Sequence, residues 1–172
     1  MTVQAQFTDT LPDLIIYGGA FDPPHAGHVA ILEMTLDQFS KVEVCIVPSY
    51  APTVAGQGSK QVVASFAERT EMARLAFGKL APKRVHISTV EQELPTPSYT
   101  LNTVRVIGAN HSGLRIGLLI GQDQLTAFAH WHEPRAILSQ ADLIVAPRLS
   151  DDNSDHPSFA ISSMANQLDL EL

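Results

Sequence analysis

The sequence predicts an α/β fold in which a doubly wound, parallel, five-stranded sheet is flanked by helices. Several segments are near-continuous apolar runs, such as residues 116–120 and 143–146, and runs of this kind suit strands that are covered on both faces. Segments with a helical spacing of apolar residues separate these strands, and such alternation favours a parallel sheet. We therefore expect a Rossmann-like fold that binds its ligands at the carboxyl ends of the strands.

Five strands and four helices are predicted in alternation along the chain. The strands cover residues 13–18, 42–47, 85–88, 115–120 and 142–147, and the helices cover about 25–39, 66–80, 100–110 and 134–140. In the first helix, apolar residues recur every three or four positions from Val29 to Phe39. Ser65 and Glu68 have the spacing of a capping box for the second helix, and Pro134 suits the first turn of the last.

Length and composition favour a single globular domain over residues 1–172, of which residues 1–12 are expected to be a flexible lead-in. The formal net charge of -7 disfavours a general role on nucleic acid or on an anionic membrane. Cys45 is the only cysteine, so no intrachain disulfide can form, and no apolar stretch approaches the roughly 18 residues that a membrane span needs. We therefore expect a cytoplasmic protein that binds neither nucleic acid nor membrane.

A glycine pair and a histidine pair follow the first predicted strand. Gly18 and Gly19 could let a phosphate approach main-chain N–H donors, or could serve a tight turn that needs positive φ. His25 and His28 lie at the amino end of the next helix, where the helix dipole favours an anion such as a triphosphate. Two histidines could also begin a zinc site, but neither a cysteine pair nor a well-spaced third ligand accompanies them. The histidines thus favour phosphate binding over a metal site.

Three further residues each allow a structural and a functional interpretation. Asp123 follows a strand and could cap a short helix. Trp131 is the only tryptophan, and its large surface suits a core position. Arg148 lies just past the last strand, beside an acidic loop, where it could simply be exposed. A functional role for any of them depends on the family that the motifs indicate.

The motif Gly-Gly-x-Phe-Asp-Pro-x-His-x-Gly-His, which begins at Gly18, resembles the signature of the nucleotidyltransferase superfamily. It is most similar to that of the bacterial nicotinate-nucleotide adenylyltransferase family. Later segments agree in order: residues 66–72 are similar to the family's second helix, 97–100 to its substrate loop and 121–123 to its ribose site. Residues 128–133 resemble its aromatic loop and residues 141–145 its following strand. The resemblance extends from about residue 14 to residue 163.

The resemblance implies transfer of AMP from ATP to nicotinate mononucleotide, which gives nicotinate adenine dinucleotide and pyrophosphate in NAD biosynthesis. It implies His25 and His28 as catalytic residues and Mg²⁺ as a companion of ATP. It places ATP on Gly18, Gly19, Phe21, His25, His28, Gly121, Asp123 and Ser162, with Asp123 at a ribose. It places the mononucleotide on Tyr99, Thr100, Trp131 and Arg148, with Trp131 stacked on the pyridine ring and Arg148 near the phosphate.

Two segments depart from the family pattern. Where the family has a proline-rich loop and a basic pair, residues 51–60 offer only Lys60, whose role stays open. Residues 161–164 resemble the start of the family's phosphate-binding segment, but no arginine follows, and the carboxyl-terminal part is shorter than the family's. The alternatives are therefore an adenylyltransferase for nicotinamide mononucleotide or another substrate, and a nucleotide-binding relative without catalysis. Oligomeric state is open, with a homo-oligomer among the alternatives.

Overall fold

The computed structural model describes residues 11–54, 58–59, 61–147 and 160–162. Its main sheet contains five parallel strands: β1 Leu14–Gly19, β2 Glu43–Pro48, β5 Val85–Ile87, β6 Ile116–Gly121 and β7 Asp142–Ala146. The short strand β8 Ala160–Ser162 joins β7 in the antiparallel direction, so the strand order is β5-β2-β1-β6-β7-β8. Strands β3 Thr53–Val54 and β4 Gly58–Ser59 pair separately. The predicted fold class is confirmed, whereas β8 and the β3–β4 pair were not predicted.

Among the described residues, five α-helices accompany the sheet: α1 Ala26–Gln38, α2 Phe66–Phe77, α3 Thr100–Asn110, α4 Gln122–Phe128 and α5 Pro134–Leu138. The capping box predicted for α2 is present, because the Ser65 N–H donates to Glu68 Oε2 at 2.8 Å and the Glu68 N–H donates to Ser65 Oγ at 3.3 Å. The α2 helix ends at Phe77, three residues before the predicted end, with Gly78 as its C-cap. Within the described part of the chain, no helix is long and apolar enough to cross a membrane.

Each face of the sheet has its own apolar core. On one face, α1 and α2 pack against the sheet through Leu32, Leu36 and Phe77. On the other face, α3 and α5 pack through Leu101 and Ile137. Alternate residues of β1 join opposite cores, which explains why the strand is apolar at every position from Leu14 to Tyr17.

The strand order creates a crevice between β1 and β6. From β1 the chain proceeds outward to β2 and β5, and it then returns to β6 on the other side of β1. Ligands of doubly wound folds bind at such a reversal point, beyond the carboxyl ends of the two strands. Gly18–Gly19 ends β1 and Gly121 ends β6, so both segments border this crevice.

Candidate active site

The turn after β1 depends on its glycines for space rather than for unusual backbone angles. Neither Gly18 nor Gly19 has positive φ, so the interpretation of the pair as a positive-φ turn is wrong. A Cβ at Gly19 would lie 3.0 Å from the Phe21 ring, whereas a Cβ at Gly18 would meet nothing closer than the Val47 carbonyl at 3.9 Å. Gly19 thus makes room for Phe21, and Gly18 leaves the strand end open toward the crevice.

The positive φ in this turn belongs to Phe21, at 49°. Its side chain is 2% exposed, and its ring packs edge-on against Tyr17, Phe77 and His28 at centroid distances of 5.2–5.6 Å. A left-handed backbone at a bulky residue costs on the order of 1–3 kcal/mol and persists only where the surroundings hold it. The aromatic contacts supply that hold, and they also support one side of the His28 ring.

The two histidines are arranged as a stacked pair at the start of α1. His25 is the N-cap residue, and its main-chain N–H donates to His28 Nδ1 at 3.2 Å. The two rings stack with a centroid distance of 3.7 Å and an interplanar angle of 29°. Because Nδ1 of His28 accepts, the ring proton lies on Nε2, which is then a donor. The first turn of α1 contains no acidic residue, so the dipole and the histidines together favour an anion.

Asp123 lies on the β6 side of the crevice, in the first turn of α4. The N-cap of α4 is Gly121 and no side chain caps this helix, so the interpretation of Asp123 as a cap is wrong. The Asp123 carboxylate is exposed and accepts from Gln124 Nε2 at 3.0 Å. Burial raises the pKa of the Tyr17 hydroxyl, and the charge of Asp123 raises it further, so this charge acts on the end of β1. A Cβ at Gly121 would lie 2.5 Å from Asp123 Oδ1, so a larger residue there would displace this carboxylate.

A second group of aromatic residues lies where α3 begins. Tyr99 is the N-cap of α3 and Thr100 is its first residue. The Tyr99 ring stacks on His132 with a centroid distance of 4.1 Å and an interplanar angle of 19°. Trp131 is half-buried, with its ring 5.2 Å from that of Phe128 and packed on the core of that face. Trp131 therefore contributes to the core while part of its surface stays exposed.

Of the residues predicted for the site, Ser162 has its main chain away from this edge, and Arg148 is not described. The Ser162 main chain pairs with Leu143, three residues before the end of β7 and away from the crevice. Arg148 and Lys60 lie outside the described residues. Among the residues that are described, no group of three or more histidine, cysteine or acidic side chains is placed to hold a metal ion.

Three residues that support the site were not predicted from the sequence. The Asp22 carboxylate accepts from the main-chain N–H groups of Val63 and Ala64, at 2.5 and 3.1 Å, and ties the turn after β1 to the start of α2. Arg69 is 1% exposed and donates to the Ala20 carbonyl at 2.7 Å. Glu91 is 6% exposed and accepts from the Tyr50 N–H at 2.9 Å.

The sequence did contain a signal for Arg69. Arg69, Ala73 and Phe77 recur at every fourth position of α2, and all three are buried. An arginine on the apolar side of a predicted helix must find partners, because burial of an unpaired charge is costly. No comparable pattern singles out Glu91, which lies in the 3₁₀ turn Val90–Glu93.

Known proteins share both the sequence pattern and the fold. A family model described as cytidylyltransferase-like matches residues 16–166. A relative from Thermosipho melanesiensis, named as a probable nicotinate-nucleotide adenylyltransferase, is 33% identical over 81% of this chain and 66% of its own length. A relative of the same name from Aquifex aeolicus is 32% identical over 78% of this chain and 76% of its own length. The chain thus spans about two thirds to three quarters of these relatives.

A solved structure agrees on the fold. The Plasmodium falciparum nicotinic acid mononucleotide adenylyltransferase, in complex with NaAD, superposes with a TM-score of 0.66 at 17% identity. The match covers 84% of this chain and 69% of that one. The chain therefore belongs to the cytidylyltransferase-like family of nucleotidyltransferases and is a member of the nicotinate-nucleotide adenylyltransferase family.

Proposed function

We propose that this chain transfers AMP from ATP to nicotinate mononucleotide, with nicotinate adenine dinucleotide and pyrophosphate as products. The observation that carries the proposal is the stacked pair His25–His28 at the start of α1, beside the open strand end at Gly18. The names of the relatives support the same reaction. The crevice also offers a carboxylate, Asp123, on its β6 side.

The reaction needs no covalent intermediate with the protein. An oxygen of the mononucleotide phosphate bonds to the α-phosphorus of ATP, while the bond from that phosphorus to the bridging oxygen breaks. Pyrophosphate leaves with the bonding electron pair. In transfers of this kind a protein mainly aligns the reactants and stabilises charge, so we assign His25 and His28 to orienting and neutralising the phosphate oxygens. The proton on His28 Nε2 suits it as a hydrogen-bond donor to such an oxygen.

The remaining ATP contacts follow the crevice. Gly18, Gly19 and the main chain of Phe21, whose ring is buried, would face the phosphates and the adenosine from the β1 side. Gly121 and Asp123 would face the ribose, whose hydroxyls can donate to the exposed Asp123 carboxylate. Ser162 remains a proposed ATP contact, although its main chain pairs near the other end of β7.

Mg²⁺ is expected to arrive with ATP. Mg²⁺ sites in proteins typically use one or two carboxylates together with substrate phosphates and water. Since Asp123 is assigned to the ribose and the described residues contain no cluster of three possible ligands, the ion would be held mainly by the triphosphate oxygens and water. The ion would add positive charge at the triphosphate.

The mononucleotide is assigned to Tyr99, Thr100, Trp131 and Arg148. The first turn of α3 has no acidic residue, and its N-cap residue supplies no side-chain hydrogen bond. The positive potential of this helix start suits the carboxylate of a nicotinate ring better than the neutral amide of nicotinamide. We therefore expect the acid to be preferred as substrate.

The first test is release of pyrophosphate by this chain with ATP, Mg²⁺ and either nicotinate or nicotinamide mononucleotide. Release that depends on the mononucleotide and prefers the acid would support the proposal. Release with the amide alone would move the substrate to nicotinamide mononucleotide. A folded chain that binds ATP and releases no pyrophosphate with either would be a nucleotide-binding relative without catalysis.

A further inference from the structure

A short main-chain segment joins the two halves of the proposed site. This bridging segment, residues 49–51, follows β2. Its Ser49 N–H donates to the Gly19 carbonyl at 2.9 Å, in the turn after β1 that is proposed to bind the ATP phosphates and is here called the phosphate turn (residues 18–25). At its other end, the Ala51 N–H donates to Ser98 Oγ at 3.0 Å and the Ala51 carbonyl accepts from the Ser98 N–H at 2.9 Å. Ser98 directly precedes Tyr99, so the segment spans from the ATP side to the mononucleotide side.

The middle of the bridging segment is held by a buried carboxylate. Glu91 Oε2 accepts from the Tyr50 N–H at 2.9 Å, and Oε1 accepts from Thr103 Oγ1 at 2.8 Å. Thr103 lies on α3 and is buried as well. Glu91 therefore connects the bridging segment to the helix whose first residues are proposed to bind the mononucleotide.

Arg69 provides the positive charge that this carboxylate needs. Its guanidinium donates to the carbonyls of Ala20, Ala64 and Tyr50 at 2.7, 3.2 and 3.5 Å, so three loops converge on it. Burial lowers the pKa of Arg69, while the charges of Asp22 and Glu91 oppose that change. Glu91 thus binds the Tyr50 N–H while Arg69 binds the Tyr50 carbonyl, and the attraction between the two charges offsets part of the cost of burying them.

We propose that Glu91 is a positioning residue that holds the Tyr50 main chain against α3. It thereby sets the distance between the phosphate turn and the loop of residues 97–100, which is proposed to bind the mononucleotide. This inference rests on the proposed function. The Ser49–Gly19 hydrogen bond continues the pairing of β1 with β2, so the ATP side is held without Glu91. Without Glu91 the mononucleotide side would keep only the Ala51–Ser98 pair and would lose its link from Tyr50 to α3, so we expect the effect on that side. A misplacement of about 1 Å between reactants can cost about a hundredfold in rate, so such a hold matters to catalysis.

The experiment compares Glu91→Ala and Glu91→Gln with Asp142→Asn. Gln can accept from Tyr50 through Oε1 and donate to Thr103 through Nε2, so it preserves both hydrogen bonds without the charge. Asp142 is a buried carboxylate at the opposite edge of the sheet and is the matched control for lost stability. Two readouts are measured: KM for each substrate together with kcat, and hydrogen exchange of the Tyr50 and Ala51 amides without substrate.

We expect Glu91→Ala to raise KM for nicotinate mononucleotide about tenfold, while KM for ATP changes by less than about twofold. The reason is that the hydrogen bond from the Tyr50 N–H to a buried carboxylate is lost. Exchange at Tyr50 should become faster, Glu91→Gln should restore both values, and Asp142→Asn should change neither. Unchanged KM and unchanged exchange in Glu91→Ala would overturn the inference, as would the same changes in Asp142→Asn.

Two further measurements cover the cases in which Glu91→Ala does not fold or the unaltered chain has no turnover. If Glu91→Ala does not fold, Thr103→Val is used instead, because it removes only the hydrogen bond from Thr103 Oγ1 to Glu91 Oε1. It should raise KM for nicotinate mononucleotide about threefold and speed hydrogen exchange at the Tyr50 amide. No change with Thr103→Val would then overturn the inference. If the unaltered chain has no turnover, the proposed function fails separately. The inference is then tested by exchange and by the dissociation constant of the mononucleotide in the same variants.

Discussion

Two arginines hold opposite edges of the sheet in different ways: Arg69 is buried, whereas the Arg115 side chain is 25% exposed. Arg69, at the carboxyl edge, directs its donors to the main-chain carbonyls of three loops. Arg115, at the amino edge, directs Nε and Nη2 to the two carboxylate oxygens of Asp142, the latter at 3.1 Å. Arg69 thus binds uncharged main-chain carbonyls, whereas Arg115 forms a bidentate ion pair with a carboxylate.

The pKa directions express the same difference. Burial lowers the pKa of Arg69, whereas the hydrogen bond with Asp142 raises the pKa of Arg115. Arginine keeps its charge in either case over the working pH range of a protein. Arg115 precedes β6 and Asp142 begins β7, so this pair joins two strands at their start. The ion pair at the amino edge connects two strands, whereas the hydrogen bonds of Arg69 at the carboxyl edge connect three loops.

The largest effect is expected at the carboxyl edge, from His28→Ala. Loss of one preorganised donor to the reacting phosphates should lower kcat by roughly 10²–10³ with a smaller change in KM for ATP. His86→Ala is the matched control, because His86 is an exposed histidine paired with Glu43 at 3.1 Å on strands away from the crevice. Steady-state kinetics with both substrates measure the result. A His28 variant that changed only KM for ATP would contradict the assigned role.

At the amino edge, Asp142→Asn should lower stability and leave catalysis intact. Asn cannot reproduce the bidentate ion pair with Arg115, and hydrogen bonds to charged groups contribute about 1.5–3 kcal/mol each, so we expect a loss of about 2 kcal/mol in the free energy of unfolding. Urea denaturation measures the loss, and kcat and both KM values should stay within about twofold of those of the unaltered chain. If fully folded Asp142→Asn had an altered KM, the ion pair at the amino edge would also affect substrate binding at the carboxyl edge.

The two edges also differ in how far the sequence predicts them. The strands and the helix faces follow from apolar patterns, since Leu14–Tyr17 and Ile116–Ile120 can be buried only between two helical layers. The turn after β1 is marked by its glycines and histidines, although the positive φ falls on Phe21 and not on a glycine. Local spacing predicts the strands and helices from one sequence, whereas the assignment of this turn to phosphates rests on the histidine pair and on the family resemblance and stays a prediction.

The supporting contacts of the site depend on pairs that are far apart in the chain. Glu91 and Tyr50 are 41 residues apart, and Arg69 and Ala20 are 49 apart. Their partners are main-chain groups, which any residue type supplies, so no side-chain pattern marks them. The α4 helix was missed because four of its first five residues are polar and all five are exposed, which leaves little apolar periodicity.

Gly117 and Gly121, both on β6, allow the effects of a substitution on stability and on ATP binding to be compared within one strand. A Cβ at Gly117 would lie 2.6 Å from Ile144 Cδ1 in the core, and a Cβ at Gly121 would lie 2.5 Å from the Asp123 carboxylate. Gly117→Ala should therefore cost about 1–3 kcal/mol of stability through overpacking, with unchanged KM for ATP. Gly121→Ala should cost less stability, because the Asp123 side chain can move, and should raise KM for ATP severalfold. Thermal unfolding and ATP kinetics on both variants test this, and equal effects on stability and KM would contradict it.

The smallest effect concerns Cys45, which lies in the core beside α3 and can report how each variant opens. Burial raises the pKa of its thiol to about 11, so at pH 8 only about one thiol in a thousand is ionised in the folded chain. We expect modification by a thiol reagent to be slow in the unaltered chain and limited by opening of the core. Asp142→Asn should speed it by roughly the factor that its loss of stability predicts, whereas Gly121→Ala, at the carboxyl edge, should leave it nearly unchanged. Faster labelling in both variants would mean that the carboxyl edge also stabilises the sheet core, because the Cys45 thiol is reached only when β2 is exposed.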